Sequence, residues 1–283
     1  YNQELAKEIK QTYPNCDIIV GGPNVDKRNP NFFDDFPMFD IAVLGEGEPA
    51  FRQILKQRLK NKNYKGSLNG KSISLLTNKE VQPYLQLAEK LGRMIIQLSP
   101  DHANSFEFEY AGDSAKYADV LTDGILKGML SEYVDDAINL INARVYADKR
   151  GFNIKEVTSN KTKTYSDLVT IRLPKGADYT SISAAVFGEN DSRIVEIDNY
   201  GIELRLEGDI ILYRNQDKPG MLASVSGALA QKDINIAALS LGRSGKGSNA
   251  ITAVSVDKQL DESERSEIKG LNGIQNIRFI SLS

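Results

Sequence analysis

Ile210–Gly242 reads IILYRNQDKPGMLASVSGALAQKDINIAALSLG, and strand, turn, helix and strand follow one another within it. Ile210-Ile211-Leu212-Tyr213 is an apolar run with the length and composition of a buried strand. Asn215-Gln216-Asp217-Lys218 makes a polar turn, and Pro219 suits a first helical position, where its missing N–H is an orphan anyway. Leu222, Val225, Leu229 and Ala230 recur at helical spacing, and Ile234 to Leu241 reads as a second strand. A strand that turns straight into a helix leaves N–H groups at the helix start able to receive a carboxylate. Asp217 stands beside that start and offers a receptor for an ammonium group, and Asn235 is expected to reach the same place. Together these describe a site for a free amino acid. Ordinary turn chemistry is the alternative, since Asn and Asp favour turns for local reasons.

NQDKPGMLASVSGALAQKDINIAALSLGR resembles the ACT domain of the D-3-phosphoglycerate dehydrogenase family. That family's pattern is N-x-D-x-P-G, a helix, I-N-I-A and G-R, which stand here as Asn215, Asp217, Pro219-Gly220, Ile234-Asn235-Ile236-Ala237 and Gly242-Arg243. The resemblance implies a serine site between two ACT domains. Asp217 and Asn235 would hold the amino and side-chain groups, and the backbone after Pro219 the carboxylate. Asn215, Gly220, Met221 and Leu222 complete the implied set. L-serine or another small amino acid is the implied ligand, and a homodimer through the ACT domains the implied assembly.

The 283 residues leave room for two or three domains. Hydrophobic content of 41% and charged content of 26% describe a globular chain. A net charge of −3 gives no electrostatic footprint for nucleic acid. No apolar run approaches a membrane span. The one cysteine, Cys16, excludes an internal disulfide or a cysteine-held metal and fits a reducing cytoplasm. The first residue is Tyr1, inside what reads as a helix, and a piece of a longer protein is the expectation.

Residues 1–60 alternate helix and strand, the pattern of a partial doubly wound α/β segment. Gly45-Glu46-Gly47-Glu48-Pro49-Ala50 matches a dinucleotide fingerprint in form only. Two glutamates stand where a pyrophosphate would lie, and no acidic residue falls between Asn61 and Lys79 to hold a ribose. IIVGGPNV and FDIAVLGEGEPAF resemble instead the second half of the cobalamin-binding domain of radical S-adenosylmethionine proteins. On that resemblance Gly21, Gly22, Gly45, Glu46 and Gly47 would line the groove of the nucleotide tail. The family's D-x-H-x-x-G loop and its C-x-x-x-C-x-x-C cluster are missing, so half a groove argues against cobalamin and radical chemistry is excluded. The alternative is glycines that simply end strands. Residues 61–82 read as a polar linker with a hairpin around Asn69-Gly70.

From Pro83 to residue 208 the pattern is α+β. A helix begins at Pro83 and another covers Val120 to Val134, while Asn139–Arg150 reads as a short strand and a helix. Four strand-like runs follow, around Ile154, Leu168–Leu173, Ile182–Phe187 and Arg193–Leu206. PYLQLAEKLGRM, NLINARVYADKRG and RIVEIDNYGIELRLEGD resemble the intervening domain of the same dehydrogenase family, which implies an anion site using Arg193 and Arg205. Arginine suits phosphate through its two parallel donors; a pair of solvated strand arginines is the alternative. Residues 209–283 complete a ferredoxin-like βαββαβ unit, which would leave one sheet face or edge for a second copy.

His102, the one histidine, sits in a polar turn and reads as a surface residue. No catalytic residue is expected. NAD belongs to the family's catalytic domain, for which no pattern is present, so no cofactor is expected in this chain. The reading is a serine-binding regulatory module, joined to the N-terminal segment by a broken or misassembled reading frame. The alternatives are a piece of a complete NAD-dependent phosphoglycerate dehydrogenase and a cobalamin-binding protein.

Overall fold

A computed structural model describes residues 2–21, 25, 32–44, 66–69, 78–99, 103–131, 133, 138–140, 142–159, 165–173, 177–189, 191–245 and 247–282. The N-terminal elements are α1 (Asn2–Thr12), β1 (Ile19–Gly21), α2 (Phe32–Asp35), β2 (Ile41–Leu44) and β3 (Gly66–Asn69). The three strands form a parallel sheet in the order β1-β2-β3. Ala6, Val25, Phe32, Met38, Phe39 and Ala42 fill a small core beside it. The hairpin expected around Asn69-Gly70 would continue into residues 70–77, outside the described residues; Gly66–Asn69 itself is a third strand, parallel to β2, with Ile41 opposite Gly66. A polar composition concealed this strand. Gly70 lies outside the described residues.

The middle unit holds α3 (Gln82–Leu98), β4 (Ser105–Gly112), α4 (Ala118–Leu130), α5 (Ala143–Lys149), β5 (Asn153–Ser159), β6 (Asp167–Arg172), β7 (Ser181–Gly188), β8 (Asp191–Ile197) and β9 (Tyr200–Arg205). Its sheet has the order β5-β4-β6-β7-β8-β9, antiparallel except for the β4–β5 pair. A parallel pair needs a long crossover, and α4 and α5 supply it. Apolar residues on one stripe of α3 (Leu87, Leu91, Met94, Ile95, Leu98) and of α4 (Leu121, Ile125, Met129) lie in the core. The two helices touch backbone to backbone. A Cβ on Gly92 would stand 2.1 Å from the Ile125 carbonyl oxygen, and one on Gly128 2.0 Å from that of Glu89. Lys127 and Glu89 close the crossing with a 2.6 Å ion pair.

Two expectations for this unit change. The strand expected near Asn139 is absent from residues 138–140. There Asn139 and Asn142 exchange side-chain-to-backbone hydrogen bonds of 2.8 and 3.1 Å, which turn the chain into α5. Arg193–Leu206 is two strands, not one. Asp198 and Asn199 take φ of 51° and 66°, the left-handed pair that a two-residue hairpin turn requires.

The C-terminal unit is β10 (Asp209–Gln216), α6 (Met221–Gln231), β11 (Ile236–Arg243), β12 (Asn249–Val256), α7 (Glu262–Lys269) and β13 (Ile274–Ser281). Its sheet, in the order β11-β12-β10-β13, is the expected βαββαβ arrangement. Asp261 and Glu264 start α7 with reciprocal capping bonds. Ile211, Tyr213, Val254 and Val256 pack on Val225 and Leu229 of α6 and Ile268 of α7. The opposite residues, Ile210, Leu212, Ile251, Ala253 and Ile280, join the core of the middle unit with Ile202, Leu204 and Leu206. One face is thus covered by the helices and the other by the middle unit, and among the described residues β11 and β13 are the end strands of the sheet. Tyr179 donates to the Asn276 carbonyl at 2.6 Å, and the Gln97 side chain bonds both ways with the Ser281 backbone at 2.9 Å. Arg214 pairs with Asp198 and Arg278 with Asp178.

Among the described residues no helix is long and apolar enough to cross a membrane. The close α3–α4 crossing makes Gly128→Ala lower stability by about 1–3 kcal/mol through overpacking, read as a fall in the urea midpoint. Gly227 in α6 has nothing within 4 Å of an added Cβ. Gly227→Ala there raises stability by about 0.5–1 kcal/mol.

Candidate functional site

The turn that leaves β10 carries the candidate site. Asp217 is held on both sides: its N–H donates to the Ser248 carbonyl at 2.8 Å, and its Oδ2 accepts from the Gly247 N–H at 3.2 Å. Arg243, the last residue of β11, reaches the same oxygen with Nη1 at 3.3 Å. The Asp217 side chain is 21% exposed and that of Arg243 57%. Asp217 Oδ1 accepts no hydrogen bond among the described residues.

Pro219 and Gly220 bring the chain into α6. Gly220 adopts φ 90°, ψ −17°, no side chain caps the helix, and an added Cβ would meet nothing within 4 Å. The Met221 N–H bonds back to the Lys218 carbonyl at 3.4 Å and the Ser224 N–H to that of Gly220 at 2.9 Å, which leaves the Leu222 and Ala223 N–H groups without a side-chain cap at a helix start that carries partial positive charge. Asn215 stands beneath this turn, 5% exposed, accepting from Thr252 Oγ1 at 3.2 Å and donating to the Gln216 carbonyl at 2.7 Å. It shapes the turn from below. Met221, half-buried, lies against the turn at Gly273, its sulfur and methyl carbon both 3.0 Å from the Cβ position of that residue. Leu222 is 40% exposed.

Asn235 is elsewhere. It donates to Asp257 at 2.7 Å, at the end of the sheet where Val256 faces Asp209. Asp217 follows the other end of β10, an eight-residue strand, so roughly 25 Å separates the two at about 3.3 Å per residue. The expectation that Asn235 reaches Asp217 within one chain is thereby corrected. The eleven residues of α6 carry the chain back, so β11 starts at the end where β10 started.

Arg193 and Arg205 are register partners on β8 and β9. Arg193 grips Asp191 with two donors at 2.9 and 2.6 Å, also bonds Glu203, and lies over the Phe187 ring at 4.8 Å. Arg205 stands 3.6 Å from Asp191 and 3.7 Å from Glu207. Two cations among three carboxylates leave no surplus positive charge, and Arg205, 61% exposed, is the less engaged of the two. Gly21 ends β1. Gly22, Gly45, Glu46, Gly47 and His102 lie outside the described residues. Among the described residues no group of three His, Cys, Asp or Glu side chains is placed to hold a metal.

Sequence reasoning overlooked Arg243 as a chemical group, although it stood in the quoted Gly-Arg pair. It also overlooked the exposed leucines of β11, Leu239 and Leu241, each about two-fifths exposed. Strict alternation of Leu239 and Leu241 along β11 was the available signal.

Two family descriptions match the chain: D-3-phosphoglycerate dehydrogenase intervening domain over residues 80–198, and ACT domain over residues 210–273. D-3-phosphoglycerate dehydrogenase of Methanocaldococcus jannaschii is 30% identical over 204 residues, covering 72% of this chain and 38% of the relative. That of Bacillus subtilis is 28% identical over 204 residues, 72% of this chain and 39% of the relative. D-3-phosphoglycerate dehydrogenase 3, chloroplastic, of Arabidopsis thaliana is 28% identical over 236 residues, 76% and 40% respectively. The chain thus spans about two-fifths of the length of these relatives. Residues 80–273, an intervening domain followed by an ACT domain, belong to the C-terminal regulatory part of the D-3-phosphoglycerate dehydrogenase family.

Proposed function

We propose that this chain senses a small amino acid, L-serine first among the candidates, at two equivalent sites in a homodimer joined along β11. The observation that carries the reading is Asp217, with one carboxylate oxygen unengaged among the described residues, three residues ahead of Gly220 at the start of α6, which no side chain caps. Asp217 takes the ligand's ammonium group, and the first-turn N–H groups of α6 take its carboxylate.

Dimerisation follows from the edge. An unpaired strand edge is a template for another strand, and β11 also exposes Leu239 and Leu241. A two-fold axis through the middle of β11 pairs it antiparallel with its copy. The Asn235 end of one strand then meets the Arg243 end of the other. This delivers Asn235 of the partner subunit to the Asp217 side, about where the ligand's hydroxyl needs a partner. Occupancy and association become linked, because neither protomer alone holds the whole site. In a D-3-phosphoglycerate dehydrogenase such a module would report serine abundance to the catalytic portion.

Calorimetric titration of the full chain with L-serine, glycine and L-alanine tests the ligand. Asp217→Ala removes a charge-assisted bond of about 1.5–3 kcal/mol, so affinity falls roughly tenfold to a hundredfold. Unchanged affinity in that variant would move the site elsewhere. Sharing between copies has its own test. Asp217→Ala and Asn235→Ala proteins bind poorly alone, whereas a statistical mixture regains about a quarter of the wild-type sites, since each heterodimer has one intact half. No recovery on mixing refutes the shared site. Leu241→Asp places a charge in the apolar seam, and sedimentation velocity should then show monomer at concentrations where the wild type is dimeric.

A further inference from the structure

We infer that Arg243 is a second receptor for the ligand's carboxylate and the residue that restricts the site to zwitterionic amino acids. The inference rests on the amino-acid reading of the Asp217 site and extends it. Arg214 and Arg278 of the same domain are committed to carboxylates of the middle unit, Asp198 and Asp178. Arg243 differs. Its recorded contact is one 3.3 Å bond from Nη1 to Asp217, and its Nε and Nη2 meet no acceptor among the described residues. With 57% of the side chain exposed, most of the guanidinium fork is available.

A carboxylate and a guanidinium side by side present a negative and a positive pole about one hydrogen bond apart. An α-amino acid carries the reverse pair at a similar spacing. Laid head to tail, ammonium on Asp217 Oδ1 and carboxylate on the Arg243 fork, the four charges neutralise one another, and no net charge is added to the site. The start of α6 supplies partial charge only. Arg243 supplies a full one, and its planar fork fits a carboxylate with two parallel donors. An amine without a carboxylate would place its cation beside Arg243 with nothing to offset the repulsion. A carboxylic acid without an ammonium group meets the same penalty at Asp217. Arg243 is therefore a specificity-determining residue.

The test titrates the full chain and its Arg243→Gln and Arg243→Lys variants with L-serine and with L-serinamide, which keeps the ammonium and hydroxyl but lacks the carboxylate. Protein concentrations are set so that sedimentation gives all three the same association state. Arg243→Gln is expected to weaken L-serine about three- to tenfold, a charge-assisted bond discounted for exposure, and to leave L-serinamide unchanged or slightly tighter. Arg243→Lys should recover part of the loss as a point charge without the fork. L-serine binding that is unchanged or tighter in Arg243→Gln overturns the inference, and so does an equal loss for both ligands, which would mean that Arg243 only positions Asp217. If Asp217→Ala loses binding while Arg243→Gln does not, this inference falls and the amino-acid site stands. If the wild type gives no heat with L-serine, glycine or L-alanine, both fall.

Discussion

Strand β10 is buried on both faces, and the candidate site hangs from its end. Ile211 and Tyr213 point to the helices of the ACT domain, while Ile210 and Leu212 point into the core of the middle unit. A strand fixed from both sides cannot tilt without opening one core or the other, which is costly in an interior packed at crystal-like density. The turn at Asn215–Asp217 inherits that rigidity, and Thr252 fixes Asn215 from the neighbouring strand. Exposed groups at the site are thus presented by a scaffold that does not need the ligand to form it.

Polar contacts at the same boundary add direction to this packing. Asp198, in the left-handed hairpin turn, accepts from the Thr180 and Ser181 N–H groups at 2.6 and 2.8 Å and also pairs with Arg214. Arg214 lies over the Tyr179 ring at 5.1 Å. One carboxylate so joins the start of β7, the β8–β9 hairpin and β10. Arg214 immediately precedes Asn215, so the hairpin of the middle unit is one residue away from the turn that forms the site.

The βαββαβ order was legible because its periods are clear: an apolar run for β10, a helical stripe on α6 and a second apolar strand from Ile234 to Leu241. Strand β3 was not legible, since Gly-Ser-Leu-Asn has no alternation to read and its partner lies far back in the chain. The β8–β9 turn was legible in principle, but Asp-Asn is a weaker hairpin signal than Asn-Gly and passed for strand. At the candidate site, motif spacing put Asp217 and Gly220 in one turn, as the structure has them, but set Asn235 beside them within one chain, where the fold places it at the far end of the sheet. A sequence motif states which residues occur together and leaves open which end of a strand each occupies. Arg193 shows a similar limit: its neighbours Asp191 and Glu203 were in plain view, yet only the register brings them onto one guanidinium.

Strand β11 has a less obvious attachment. Its Ser240 hydroxyl accepts the Glu203 N–H at 2.9 Å, and Gly242 lies so close to β9 that an added Cβ would sit 2.6 Å from the Gly201 carbonyl oxygen. The edge strand is therefore braced against the middle unit at Ser240 and Gly242, like a rail bolted to a frame. Any body that pairs with this edge acquires a fixed bearing on the whole middle unit. A change of twist at such a seam would be transmitted as rotation of an entire lever arm, with the displacement growing in proportion to distance from the seam.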